Sequence, residues 1–129
     1  MITNGVIILI MLGNFFYAYR CIFQTQSYIQ QYGFGEGSAI MTRLVGTFAA
    51  GFGVVLFIAL LTTIKGGWLL FTYGFIQATI GAIVCYRTIN SHWGMVEGLK
   101  TSREGYIAPG VIAGLNLIVL VTGRELLFL

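Results

Sequence analysis

Charge is what this chain has least of: 9 % of its residues are Asp, Glu, Lys or Arg, against about 25 % in a soluble domain. So few charges cannot cover a water-facing surface, and a lipid bilayer is the expected solvent. Histidine occurs once, at His92, and nothing near it supplies a second ligand of the roughly four that a structural metal site needs. Axial ligation of a haem or chlorophyll is the remaining metal role, yet His92 falls in a polar loop. The two cysteines, Cys21 and Cys85, form no CxxC pair and are too few for a disulfide framework. Of the four acids, Glu36 belongs to the first polar stretch, Glu97 and Glu104 to the second, and Glu125 to the far end. No paired-carboxylate, Ser-His-Asp or Cys-His arrangement can be assembled from these residues. The basic residues are scattered, without the basic-aromatic interleaving of a nucleic-acid surface. A cleavable leader is not expected either, because Met1 to Thr3 lacks a positive start and no A-x-A site follows the first apolar run.

What fills the chain is apolar: 57 % of residues are hydrophobic and the mean hydropathy is +0.88. Four runs, about 2–23, 44–64, 68–86 and 109–127, each approach the 20 or so residues that cross about 30 Å of hydrocarbon. The expected fold is therefore all-α, a single four-transmembrane-helix bundle. The first run contains GVIILIMLGNFFYAY and ends in Tyr17, Tyr19 and Arg20, an aromatic belt and a cation as at a headgroup boundary. Beyond it Ile22, Ile29 and Tyr32 share a helical face among glutamines, so the helix is expected to extend past the membrane until GFGEG stops it. The second run carries Gly46, Ala49, Ala50 and Gly53 at i, i+3, i+4 and i+7. Such a stripe lets another helix backbone approach closely in lipid. Lys65, Gly66 and Gly67 then make so short a link that the second and third helices are expected to be antiparallel neighbours, with the third helix received on that stripe. The third run, opened by Trp68 at the interface, repeats the device with Gly74, Ala78 and Ala82. After Tyr86 and Arg87 an amphipathic extension is expected again, with Ile89, Trp93, Val96 and Leu99 on one face. Pro109, suited to a first helical turn, is expected to start the fourth run, which holds Gly110 and Gly114 as a GxxxG pair.

Three amides, Asn14, Gln77 and Asn116, fall within these runs. An unpaired amide is costly in an apolar medium, so they are expected to face inward and to bond one another or backbone. They form either glue between helices or a small polar site for a quinone headgroup, pigment or solute. No ionisable residue lies at mid-depth, which argues against a proton-coupled pump. Arg20 and Arg87, each after a tyrosine, fit snorkelling at the interface or contact with lipid headgroups. Tyr19-Arg20 recurs as Tyr86-Arg87, and the same offset relates Ile22 to Ile89 and Ile29 to Val96. The chain is thus compatible with two parallel helical-hairpin repeats, helices 1 and 3 extending beyond the membrane. The long loops hold Arg20, Arg43, Arg87, Lys100 and Arg103, and the opposite side Lys65 and Arg124. That asymmetry puts the long loops in the cytoplasm and both termini outside.

An arginine opening a small-residue span (TRLVGTFAAGFGVVLFIAL), a tight hairpin and a third span ending in YRTIN together resemble the bacterial DUF4345 group. These are small four-helix membrane proteins related in layout to DoxX-like proteins. The resemblance covers mainly residues 35–90. Arg87 stands where that group tends to carry a glycine-arginine pair, while the proline that the group tends to place after its first span is replaced by QTQSYIQQYG. It implies the fold and a bacterial cytoplasmic membrane, and no activity. The function expected is that of a non-catalytic accessory or structural subunit of a larger membrane complex. Alternatives are a small oligomeric transporter or channel with a polar layer at Asn14, Gln77 and Asn116, and a membrane enzyme acting on a lipophilic substrate. Expected partners are membrane lipids and other membrane subunits or further copies, not nucleic acid. No cofactor is required, though a bound lipid, quinone or pigment would suit the amides.

Overall fold

The computed structural model describes residues 2–95, 97–100 and 104–128. All its elements are helical: α1 (Ile2–Ile22), α2 (Thr25–Tyr32), α3 (Ala39–Leu61), α4 (Trp68–Ile89), α5 (Glu104–Thr122) and α6 (Arg124–Leu127), with 3-10 turns at Glu36–Ser38 and His92–Met95. Four helices are long and apolar enough to cross a membrane, and they form the expected bundle.

Boundaries differ from the sequence expectation where local chemistry intervenes. The α1 helix breaks after Ile22, because Gln24 leaves helical geometry (φ −115°, ψ 38°). The amphipathic extension is therefore a separate helix, α2, closed by Gly33 in the left-handed region (φ 68°), where glycine has no steric penalty. The third span likewise stops at Ile89 and yields to the 3-10 turn, so Trp93 stands exposed instead of on a helical face with Ile89; Val96 lies outside the described residues. The second span starts earlier than expected, since the turn Glu36–Ser38 feeds directly into α3. Pro109 does not start the fourth span but sits inside α5. Its missing N–H leaves the Gly105 carbonyl without an i+4 donor, one turn from the helix start, where little regular bonding is lost. The span ends at Thr122, and Gly123 separates it from α6.

Helix pairing is the larger correction. The α1 helix packs along α3 and α4 along α5, while α1 and α5 join the two pairs. Across the bundle the order is α3–α1–α5–α4. Despite their short link, α3 and α4 do not pack along each other. The stripe on α3 receives α1: a Cβ on Gly46 would lie 2.9 Å from Cys21 Cβ and 2.8 Å from Ile22, and one on Gly53 would lie 2.8 Å from the Phe15 ring. Ala49 and Ala50 are half-buried between them. Each half of the chain is thus a helical hairpin, as a duplication would require. Exchanging the halves, however, would turn the α1–α5 packing into an α3–α4 packing, whereas the described residues bring those two helices together just in the end cluster that holds Leu56 and Phe71.

One end of the bundle is knit by an apolar cluster of Ile7, Ile10, Leu56, Phe71, Val119 and Leu127. There the Thr3 and Thr122 hydroxyls share a hydrogen bond of 2.8 Å and the Trp68 ring stacks on Phe128. At the opposite end the two long loops touch. The Lys100 N–H donates to the Tyr32 carbonyl (2.8 Å), and the Gly98 carbonyl occupies the place that a Cβ on Gly33 would take.

Candidate functional site

The three amides do not converge. Asn14 is half-buried and donates from Nδ2 to the Ile10 carbonyl of its own helix (2.9 Å). Asn116 is fully buried and donates from Nδ2 to the Ile112 carbonyl (2.9 Å). Among the described residues its Oδ1 has no hydrogen-bond partner, and it faces α4 at Gly74, where a Cβ would approach it to 2.5 Å. The Ile112 carbonyl fixes which way the amide points, because a reversed amide would set two acceptors together. The hydrogen that stands on Gly74 in place of a Cβ is therefore aimed at Oδ1, a weak Cα–H···O contact. Gly74 and Asn116 are one lock and key: the glycine exists to admit the amide, and the amide seats α5 against α4. Ala78 is buried in the same seam and Ala82 half-buried, while Gly81 faces Pro109 at ordinary contact distance.

Gln77 does the opposite of what its cost in lipid suggests. It is exposed on the outer side of α4 and forms no hydrogen bond among the described residues. It lines a shallow groove of about 410 Å³ with Tyr73, Ile76, Ile80, Gly81 and Val84. At 1.5 Å per residue it lies about 14 Å from the Trp68 end of α4 and about 18 Å from the Ile89 end. Set across a bilayer, that is close to the midplane, beyond the reach of a glutamine snorkelling to either interface. Hydrogen bonds of this kind between helices are worth about 1–2 kcal/mol in model peptides and about 0.6 kcal/mol on average in a folded membrane protein. The GxxxG pair is equally outward: Gly110 and Gly114 are exposed, with nothing near the position of a Cβ.

The arginines gather around α2 in a way the sequence did not announce. Arg43, the arginine that opens the second apolar run, donates from Nε and Nη2 to the Ile22 carbonyl (3.3 and 3.2 Å). A cation on the last carbonyls of α1 both satisfies an orphan acceptor and meets the negative end of the helix dipole. Arg20 donates to Gln24 Oε1 (3.2 Å) and to Gln31 Oε1, and lies 6.0 Å over the Tyr28 ring, so it anchors α2 to α1. Tyr28 in turn bonds the Tyr17 hydroxyl (3.2 Å), and burial pushes its phenol pKa up. Next to this knot an open cleft of about 430 Å³ lies between α1, α2 and α3, lined by Ile22, Phe23, Ile29 and Ala39 on its apolar side and Thr25, Gln26, Gln30, Glu36 and Arg43 on its polar side. Arg87 is exposed, with Tyr86 stacked edge-on against Tyr106. His92 is exposed beside Trp93. Among the described residues no three His, Cys, Asp or Glu side chains gather as metal ligands.

Comparison with family models, curated proteins and solved structures finds no match. The functional reading therefore rests on the geometry.

Proposed function

We propose that this chain is an integral membrane protein of the bacterial cytoplasmic membrane that acts as a non-catalytic accessory or structural subunit, binding its partners side by side through its helices. The observation that carries this reading is how little of the spans the chain covers by itself. No more than 22 % of the apolar stretch of any span is buried within the chain. The open order α3–α1–α5–α4 leaves α3 and α4 with long unpartnered apolar faces, and a glutamine stands unbonded on one of them. Lipid tails would solvate the apolar faces but not that amide. The exposed Gly110 and Gly114 offer a further smooth surface to a neighbouring helix.

A polar path through one bundle is not favoured, because Asn14 and Asn116 bond their own helices and Gln77 is exposed and bonded to neither. Likeness to the DUF4345 group supports the same architecture without adding an activity. The excess of basic residues on the long loops orients them to the cytoplasm, with the termini outside. The test is extraction of native membranes in a gentle detergent, followed by native electrophoresis. Co-migration with a defined larger complex is the expected result, and migration at the mass of the isolated chain refutes the reading.

A further inference from the structure

We infer that α4 is the interface through which two copies of this chain pair, with the two Gln77 amides hydrogen-bonded to each other at the centre of the membrane. The inference deepens the lateral-association reading and names one of its partners.

The occupant of the α4 groove must satisfy an amide at mid-depth. A second copy does so by construction. Copies inserted in one orientation are related by a twofold axis along the membrane normal, so α4 meets α4 in parallel and every residue meets its counterpart at its own depth. A carboxamide carries both donor and acceptor, so two of them close a reciprocal pair with no other polar group required. A foreign helix would need its own polar side chain at the same level. Gly81, one turn beyond Gln77, also lines this groove and adds no side chain to it. An interface of this type is isologous and closes at two copies. Tyr73 and Val84 flank the pair along the same groove, and the Gly74–Asn116 lock, one turn before Gln77 on the adjoining face of α4, fixes that helix against α5.

The experiment uses purified full-length chain, labelled with donor or acceptor dye, in phosphatidylcholine vesicles over a range of lipid-to-protein ratios. Energy transfer should report a dimer, weakened about tenfold or more by Gln77→Leu and by less than that by Gln77→Asn, which keeps an amide. In a Cys21→Ala/Cys85→Ala background that keeps Gln77, Tyr73→Cys and Val84→Cys should form intermolecular disulfides under mild oxidation, whereas Phe48→Cys on the exposed face of α3 should not. A chain that stays monomeric, a dimer indifferent to Gln77→Leu, or cross-linking at position 48 instead of 73 and 84 would overturn the inference. Its fate is separable from that of the accessory reading. Monomers in vesicles combined with a larger assembly in native membranes sink the pairing alone, and dimers in vesicles without any larger assembly sink the accessory role alone.

Discussion

Gly74→Ala should loosen the bundle, and Asn116→Ala should restore much of what is lost. A methyl group on Gly74 would stand 2.5 Å from Asn116 Oδ1, 2.9 Å from Cγ and 3.2 Å from Nδ2, well inside the 3.4–4 Å of ordinary contact. Asn116 cannot swing away cheaply, being fully buried and tied through Nδ2 to the Ile112 carbonyl. Either that bond breaks or α4 and α5 move apart. Overpacking of this kind costs about 1–3 kcal/mol, offset in part by the better helix propensity of alanine, about 0.8–1 kcal/mol in water. A net loss of up to about 2 kcal/mol follows. Asn116→Ala alone removes the hydrogen bond to the Ile112 carbonyl and the weak contact with Gly74, and leaves a small cavity. In the double variant the methyl fills part of the space the amide vacates, so the two losses should fall short of additive by about 1 kcal/mol or more. Reversible unfolding in mixed micelles measures all four species. Additive effects of the two substitutions would refute the lock between these residues.

Other positions give contrasting outcomes. Gly114→Ala meets open space and should leave stability unchanged or slightly raised in the same assay, because no neighbour stands near its Cβ position. Gly53→Leu would drive a branched side chain into the Phe15 ring, and the expected result is loss of the α1–α3 pairing, seen as failure to yield a monodisperse protein in detergent. Gly33→Ala is expected to separate the two long loops, since both its left-handed backbone and the Gly98 carbonyl forbid a side chain; faster protease cleavage within residues 33–38 is the readout. For orientation, the native thiols are poor probes, as Cys21 is buried. With both cysteines replaced by alanine, an impermeant maleimide applied to intact cells should label Thr63→Cys and not Ser27→Cys; the reverse pattern would place the long loops outside.

How much of this was legible in the sequence depended on what each residue does physically. Long apolar runs bounded by tyrosine, tryptophan and arginine announce spans, because length and hydropathy alone satisfy a bilayer. The small-residue stripes were legible as close-packing faces, and Gly46, Gly53, Gly74 and Ala78 are buried in such seams. Which helix each stripe receives was not legible, since a glycine permits approach without naming the neighbour. Hence the turn at Lys65–Gly67 suggested α3 against α4, whereas the stripe on α3 holds α1. Gln77 was misjudged for a related reason: in a helix apolar on all sides, periodicity does not say which side is inward. Arg43 and Asn116 were visible as residues, but the Ile22 carbonyl and Gly74 that give them meaning are distant in sequence. Pro109 follows a sound preference for the first helical turn yet lies inside α5, because the helix begins about one turn earlier, at Glu104, where the donor it lacks costs little.

The order α3–α1–α5–α4 also bears on how the protein is made. The α1–α3 hairpin is complete once residues 2–61 have left the ribosome, and it needs nothing from the later chain for its glycine seam. The second hairpin is self-contained in the same way around Gly74 and Asn116. The two halves join through α1 and α5, and the link at residues 62–67 serves as a tether more than as a structural corner. Two separately synthesised halves, cut within that tether, already contain every seam except the one that joins them.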